Sequence, residues 1–301
     1  MQSIRSILVV LLEEPANDLA LRRARRIAGA TGSELHLLQG AADDAQRTAL
    51  SAQAEQLRNE GHRVTVCQTH EPLTHRTIIA AQQAEGCGLV VKQHQPDSLL
   101  TRALLTPEDW RLMRHCPAPV LLVKSDRSWK GGKVLAAVDV GNSDPEHLAV
   151  HDEIVSHASD LARIVEGELH VLTAHPAPVL SASDPVFQHS ESIAAHYRQA
   201  CQQFQDDYGF SHQQLHVAEG SANLLIPQLA DQLNAVVTVI GTVARSGLSG
   251  ALIGNTAEAV LDALESDVLV LKPEAIIQRL EAMLEPHESL TGVQHGGSTA
   301  D

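Results

Sequence analysis

The sequence is short of basic residues and of long apolar runs. Its 301 residues hold 22 Lys and Arg against 37 Asp and Glu, a formal net charge of −15. A surface for a phosphate backbone would have to be local and unusually concentrated, so nucleic acid is not an expected partner. No apolar run reaches the length of a membrane span, and residues 1–5 do not lead into a signal-peptide pattern. We therefore expect a cytoplasmic protein with no membrane span.

Several motifs that carry chemistry are absent as well. The four cysteines form no CxxC pair, which favours buried thiols in a reducing compartment over a disulfide or zinc framework. The 17 histidines include no HExxH, so spacing predicts no metal site. GxSxG, GxGxxG and GxxxxGK[ST] are also missing. The sequence predicts no catalytic residue and neither of the two common phosphate loops.

The chain contains an internal sequence repeat, with the same order of predicted strands in each half. Apolar strands are predicted at residues 6–12, 33–39, 88–92 and 118–124, and again at 133–139, 167–173, 236–241 and 266–272. Strands that alternate with helical patterns predict a parallel sheet with helices on both faces. Polar residues and paired glycines at 125–132 mark the boundary. We expect a first domain at residues 1–128, a second at 129–275, and a disordered tail at 285–301.

Two predicted helices illustrate the periodicity. Residues 19–28 place apolar residues on one face, and Arg22, Arg23, Arg25 and Arg26 elsewhere, which predicts a solvated arginine surface. Residues 189–208 place Ile193, Tyr197, Cys201, Phe204 and Tyr208 at helical spacing, which predicts core positions.

Residues 236–260 are the most informative stretch. Gly241 closes an apolar strand, Gly247 and Gly250 follow, and Gly254 precedes Asn255, a good helix N-cap. Unpaired N–H groups and the positive end of a helix dipole would meet an anion there. The glycines are equally compatible with an ordinary turn between a strand and a helix. Glycine spacing alone does not separate these two interpretations.

This stretch resembles the universal stress proteins, whose nucleotide-binding members carry G-x2-G-x9-G-[S/T] after the fourth strand of a flavodoxin-like domain. Gly241 and Gly254 match the first and third glycines, while Ala244 and Asn255 replace the second glycine and the Ser/Thr. Ala244 still leaves room for close backbone approach, and Asn255 can donate to a phosphate oxygen. The resemblance runs from about residue 3 to residue 273 and is closest to the tandem-domain type.

The resemblance implies two tandem flavodoxin-like α/β domains, each a parallel five-stranded sheet flanked by helices. It also implies an intramolecular pseudo-dimer with the two final strands side by side, and allows a homodimer. The implied ligand is an adenine nucleotide, ATP with or without Mg²⁺, in the second domain. Its implied contacts are Val138, Asp139 and Ala174 for adenosine, Ile240, Gly241, Ala244 and Arg245 for ribose and phosphates, and Gly254, Asn255 and Thr256 for the phosphate chain.

The first half lacks the matching residues. Alignment of the two halves places Lys92 opposite Gly241 and Leu12 opposite Asp139, so nucleotide binding is expected only in the second half. The expected function is a stress-response sensor or regulator that responds to nucleotide occupancy. Alternatives are an interaction scaffold or apolar-ligand binder, and a slow ATPase. Efficient hydrolysis is not expected, because the sequence places no general base beside a γ-phosphate.

Overall fold

A computed structural model describes residues 1–12, 14–15, 17–95, 107–141, 145–178, 185–242 and 260–284. The strands are β1 (Ser6–Leu11), β2 (Glu34–Gln39), β3 (Val64–Gln68), β4 (Leu89–Gln93), β5 (Val120–Val123), β6 (Lys133–Ala137), β7 (Glu168–His175), β8 (Leu215–Glu219), β9 (Ala235–Gly241) and β10 (Asp267–Leu271). The helices are α1 (Leu19–Thr31), α2 (Asp44–Asn59), α3 (His75–Ala84), α4 (Pro107–His115), α5 (Pro145–Val165), α6 (Ser190–Tyr208), α7 (Ala222–Gln232) and α8 (Glu274–Leu284), and residues 260–263 are also helical.

All these strands form one sheet in the order β3-β2-β1-β4-β5-β10-β9-β6-β7-β8. Pairing is parallel within each half, and β5 and β10 pair antiparallel where the halves meet, with Leu121 opposite Leu269. The second half thus repeats the strand order of the first in reverse across this junction. The predicted tandem α/β domains, packed through their final strands, are confirmed.

Helices cover both faces of the sheet, which explains why its central strands are almost continuously apolar. One core layer lies between the sheet and α1, α2, α5 and α6. The other lies between the sheet and α3, α4, α7 and the helical residues 260–263. Side-chain caps mark the starts of α1, α2 and α3, as at α1, where Asp18 accepts from Leu21 N. None of the helices that the structure describes has the length and apolarity to cross a bilayer.

The junction between the halves is built around one buried carboxylate. Asp267, at the start of β10, accepts hydrogen bonds from Lys124 N (2.9 Å), Ser125 N (3.0 Å) and Trp129 Nε1 (2.8 Å). Its Oδ2 also lies 2.9 Å from Arg23 Nε in α1. The carboxylate therefore ties a helix of the first half, the connecting segment and the last strand together.

The interpretation of Arg23 as a solvated residue is wrong. Its guanidinium is buried, lies over the Trp129 ring at 4.8 Å, and donates to the backbone oxygens of Ser125 and Arg127. The prediction failed because apolar periodicity assigns a charged residue to the outside of a helix. Here the outside of α1 is covered by the segment that connects the two halves.

Candidate functional site

The second half has a topological switch point between β6 and β9, where the direction of the strand order reverses. β6 and β9 are neighbours in the sheet, but the chain continues from them toward opposite edges. Ligands of open α/β sheets bind at the carboxyl ends of the strands flanking such a switch point. Asp139 follows β6, Gly241 ends β9, and Ala174 lies near the end of β7. These three predicted site residues therefore share one edge of the sheet.

Asp139 is held by a tyrosine from α6. Tyr197 Oη donates to Asp139 Oδ1 at 3.0 Å, and the Asp139 side chain is half-buried. Burial, and then the Asp139 carboxylate, raise the pKa of Tyr197, so the phenol keeps its proton and remains a donor. The His175 ring lies 5.1 Å from the Tyr197 ring. The sequence placed Tyr197 in the core, and it is buried, but its contact with Asp139 was not predicted.

Helix α6 also holds the backbone that carries Asp139. A Cβ at Gly141 would overlap the Tyr197 ring, so only glycine permits this approach. His196 Nε2 lies 3.0 Å from Gly141 O, and Val140 N donates to Thr173 Oγ1 at 3.3 Å. The segment after β6 is thus tied to both α6 and β7, which fixes the position of the Asp139 carboxylate.

Gly241 has a packing role in the described structure. A Cβ there would come within 2.6 Å of Val150 Cγ1 and 3.0 Å of Ile154 Cδ1, both on α5. Real Cβ contacts are not this short, so glycine lets α5 lie against the end of β9. The close approach of the helix explains this glycine without a ligand.

The other predicted contacts divide into three groups. Val138 and Ile240 are core side chains, 6% and 4% exposed, so only their backbone can face a ligand. Ala174 is half-buried at the same edge. The remaining predicted residues lie outside the described residues: Ala244, Arg245, Gly254, Asn255 and Thr256. The structure therefore describes the three residues expected to contact adenosine, together with Ile240 and Gly241 at the end of β9.

Strand pairing corrects the alignment of the two halves by one residue. Lys92 pairs with Val10 and Leu122, and Ile240 makes the equivalent pairs in the second half. Gln93, rather than Lys92, is therefore the counterpart of Gly241. A register shift between Lys133 and Val134 in the β6–β9 pairing adds a residue near the start of β9, so the numbering offset between the two halves is not constant along this strand.

The equivalent edge of the first half is filled by its own side chains. Lys92 Nζ lies 2.6 Å from Asp109 Oδ1, and His94 Nδ1 lies 2.9 Å from Asp109 Oδ2, all three buried. Gln93 Oε1 accepts from Leu19 N, at the start of α1 (3.0 Å). An internal ion pair and an internal hydrogen bond thus stand where the second half has Ile240 and Gly241.

Comparison with known proteins places this architecture in a family. The model of the "Universal stress protein family" matches residues 3–124 and 132–272. The chain belongs to the universal stress protein family. The two matches also confirm its tandem-domain type, since each half is matched separately.

Three similar proteins illustrate how much of the chain is matched. "Universal stress protein E" of Escherichia coli (strain K12) is 35% identical over 237 residues, 76% of this chain and 75% of that protein. A crystal structure of a functionally unknown protein from Pseudomonas aeruginosa PAO1 is 56% identical, with a TM-score of 0.86 over 94% of this chain and 97% of that one. A universal stress protein from Archaeoglobus fulgidus DSM 4304, 16% identical, shares the fold with a TM-score of 0.60, covering 89% of this chain and 98% of that one.

Proposed function

We propose that this universal stress protein binds an adenine nucleotide, ATP, in its second domain and acts as a cytoplasmic stress-response sensor. The observation that carries the proposal is the Asp139 carboxylate, held by Tyr197 at the switch point of the second half. A carboxylate whose one oxygen is already bonded to a buried tyrosine is oriented before a ligand arrives. It can then accept hydrogen bonds from a sugar hydroxyl or a base amino group, and binding does not carry the entropic cost of fixing the Asp139 side chain.

Two further features support an adenosine at this edge. Ala174 is small and half-buried at the end of β7, so its own side chain would not block a planar base at this edge. The segment from Gly241 to Thr256 supplies glycines and the proposed helix start for the phosphates, with Ala244, Arg245, Gly254 and Asn255 as proposed contacts. Mg²⁺ would accompany the phosphates, and turnover is proposed to be slow or absent.

The first domain supports the proposal by contrast. Its equivalent edge carries Leu12 in place of Asp139, and Gln93 and Lys92 are engaged in bonds within the domain. A nucleotide entering there would have to break a buried ion pair, which is costly. One nucleotide per chain is therefore expected.

A groove in the second half favours a second candidate, binding of an apolar ligand. The groove has a volume of about 810 Å³ and lies between α6 and the edge strand β8. Its wall includes Cys201, Phe210 and Leu215, together with Tyr197. It borders the Asp139 position through Tyr197, so both candidates involve the same helix.

The test is the identity of whatever the purified full-length protein carries. The protein would be denatured, and the released small molecules identified by mass spectrometry and counted per chain. About one ATP or ADP per chain supports the proposal. A bound apolar molecule with no nucleotide supports the groove instead. An empty protein that also fails to bind ATP in titration contradicts the nucleotide proposal.

A further inference from the structure

A second cluster of chemically active side chains lies far from the switch point, at the outer edge of the first half. His36 on β2, Cys67 on β3 and Glu85 at the end of α3 each place one donor atom within 4.8 Å of the other two. Among the residues that the structure describes, they form the one group of at least three His, Cys, Asp and Glu side chains with this proximity. No sequence motif indicates the cluster, because its members are spread along the chain from residue 36 to residue 85.

The strand register explains how the cluster forms. His36 is paired with Thr65, and Leu38 with Cys67, so His36 and Cys67 are diagonal neighbours on one face of the sheet. The chain leaves α3 over the same face, which brings Glu85 Oε2 to 3.1 Å from His36 Nδ1. Glu85 is about one-third exposed, so the cluster is open to ions from solvent.

The histidine ring is buried and has an unmatched nitrogen. His36 is 7% exposed, and its Nδ1 has no hydrogen-bond partner among the described residues, since the approach to Glu85 lacks hydrogen-bond geometry. A buried polar atom without a partner is costly, and an ion between Nδ1 and the carboxylate would remove that cost. The other ring nitrogen, Nε2, lies 3.9 Å from Glu34 Oε1, and Glu34 in turn accepts from Thr65 Oγ1 at 2.9 Å. A carboxylate is one of the common partners of the second nitrogen of a metal-binding imidazole, and Glu34 would have to move closer to His36 to form that hydrogen bond.

We propose that His36, Cys67 and Glu85 form a zinc-binding site on the first domain. Imidazole nitrogen, thiolate sulfur and carboxylate oxygen are the three donor types that Zn²⁺ takes in proteins. Three protein ligands leave a fourth tetrahedral position for water or for a group on a partner. Binding requires the donors to draw together, because Zn–N and Zn–S bonds are about 2.1 and 2.3 Å long. The ion would replace the thiol proton of Cys67, which would be released to solvent on binding.

The site would tie the edge strand β3 to the end of α3. The equivalent positions of the second half differ, although its E-L-H strand is the same. There His170 Nδ1 lies 3.1 Å from His216 Nε2, and Glu168 lies on the other side of the ring, 3.5 Å from Nε2. That pair lacks a thiol and provides an internal comparison.

The test uses the full-length protein, Zn²⁺ in competition with a chromophoric chelator, and Co²⁺ as a spectroscopic probe. We expect one tight site per chain, and a thiolate-to-Co²⁺ charge-transfer band. Cys67→Ser and Glu85→Gln should each weaken Zn²⁺ binding at least about tenfold, and Cys67→Ser should abolish the band. Glu34→Gln leaves the three proposed ligands in place but removes the carboxylate beside His36 Nε2, and should weaken binding about 10- to 100-fold.

Matched variants separate this site from incidental binding by other histidines. Cys201→Ser removes a buried thiol of the second half, and His216→Gln removes the paired histidine, and neither should change affinity or spectrum. Zn²⁺ should raise the melting temperature of the wild type and of both controls but not of Cys67→Ser. Glu85→Gln serves if Cys67→Ser fails to fold. Unchanged affinity in Glu85→Gln, or a Co²⁺ spectrum without a thiolate band in the wild type, would overturn the proposal.

Discussion

Lys124 and Lys272 are the same residue in the two repeats, but their surroundings differ. Lys124 Nζ donates to the backbone oxygens of Leu261 and Leu264, at the end of the helical residues 260–263. Lys272 Nζ is buried and has no hydrogen-bond partner among the residues that the structure describes. Burial lowers the pKa of each lysine to about 8. At neutral pH Lys272 is thus a buried charge that no hydrogen bond to the described residues compensates.

Lys272→Met should therefore raise the free energy of unfolding at pH 7 by at most about 3 kcal/mol. The methionine side chain has a volume similar to that of lysine, so the substitution removes the buried charge and keeps the packing. An unfolded lysine stays protonated up to about pH 10.4, whereas Lys272 in the folded state loses its proton from about pH 8. The unfolded wild type binds more protons in that window, so the wild type gains stability as pH rises. The difference between variant and wild type should shrink between pH 8 and 10.

Urea unfolding at a series of pH values measures this difference. Lys124→Met is the matched control, and it should be the less stable of the two variants, since it leaves the carbonyl oxygens of Leu261 and Leu264 without their donor. A Lys272→Met protein less stable than Lys124→Met at pH 7 would contradict this account of the two lysines.

Removal of the Tyr197 hydroxyl tests the proposed nucleotide site. Tyr197→Phe keeps the ring against Gly141 but removes the donor to Asp139. A hydrogen bond to a charged group contributes about 1.5 to 3 kcal/mol, so ATP affinity should fall roughly tenfold or more. Tyr208→Phe removes another hydroxyl of α6, one that bonds Asp152 on α5, and should leave ATP affinity unchanged. Calorimetric titration with ATP measures both affinities. Equal ATP affinities of Tyr197→Phe and Tyr208→Phe would exclude a positioning role for Tyr197.

At the scale of helices and strands, comparing the two halves of the sequence predicted the position of elements that hydrophobic periodicity in one half alone would leave ambiguous. The strand predicted at residues 236–241 is β9, Ala235–Gly241, and the helix predicted at 189–208 is α6, Ser190–Tyr208. The bulge opposite Lys133 was not predictable, because strands buried on both faces show no alternation that would reveal an added residue. The contact between Tyr197 and Asp139 joins residues 58 apart and depends on how α6 packs.

The segment that follows β9 should respond to the nucleotide. Residues 242–256 include Gly247, Gly250 and two serines, so fixing their backbone is entropically costly unless a ligand contributes contacts. ATP should slow amide hydrogen exchange across residues 242–256, and a nonhydrolysable analogue should do the same. Exchange in the edge strand β3 of the first half should not change. An analogue that binds without altering exchange, together with rapid phosphate release from ATP, would indicate an enzyme instead of a sensor.

At the scale of the whole molecule, the two domains are held together by the β5–β10 pairing and by the bonds around Asp267. Asp267→Asn should lower the free energy of unfolding by about 3 to 5 kcal/mol, because it leaves the Arg23 guanidinium buried without its charged partner. Glu265→Gln is the control two residues away. Its carboxylate pairs with Arg127 at an exposed position, so its loss should cost under about 1 kcal/mol. Chemical unfolding that gives similar losses for both variants would show that the Asp267 bonds do not hold the junction.

The binding of ATP to the second domain is tested most directly by titrating ATP into the full-length protein and into Gly254→Glu. The substitution would place a side chain and a negative charge where the phosphate chain is proposed to lie. Gln213→Glu, which adds the same charge at an exposed position of the second half, controls for net charge. We predict one ATP per wild-type chain, the same for Gln213→Glu, and no measurable binding to a folded Gly254→Glu protein. Unchanged ATP binding in Gly254→Glu would contradict the proposed site.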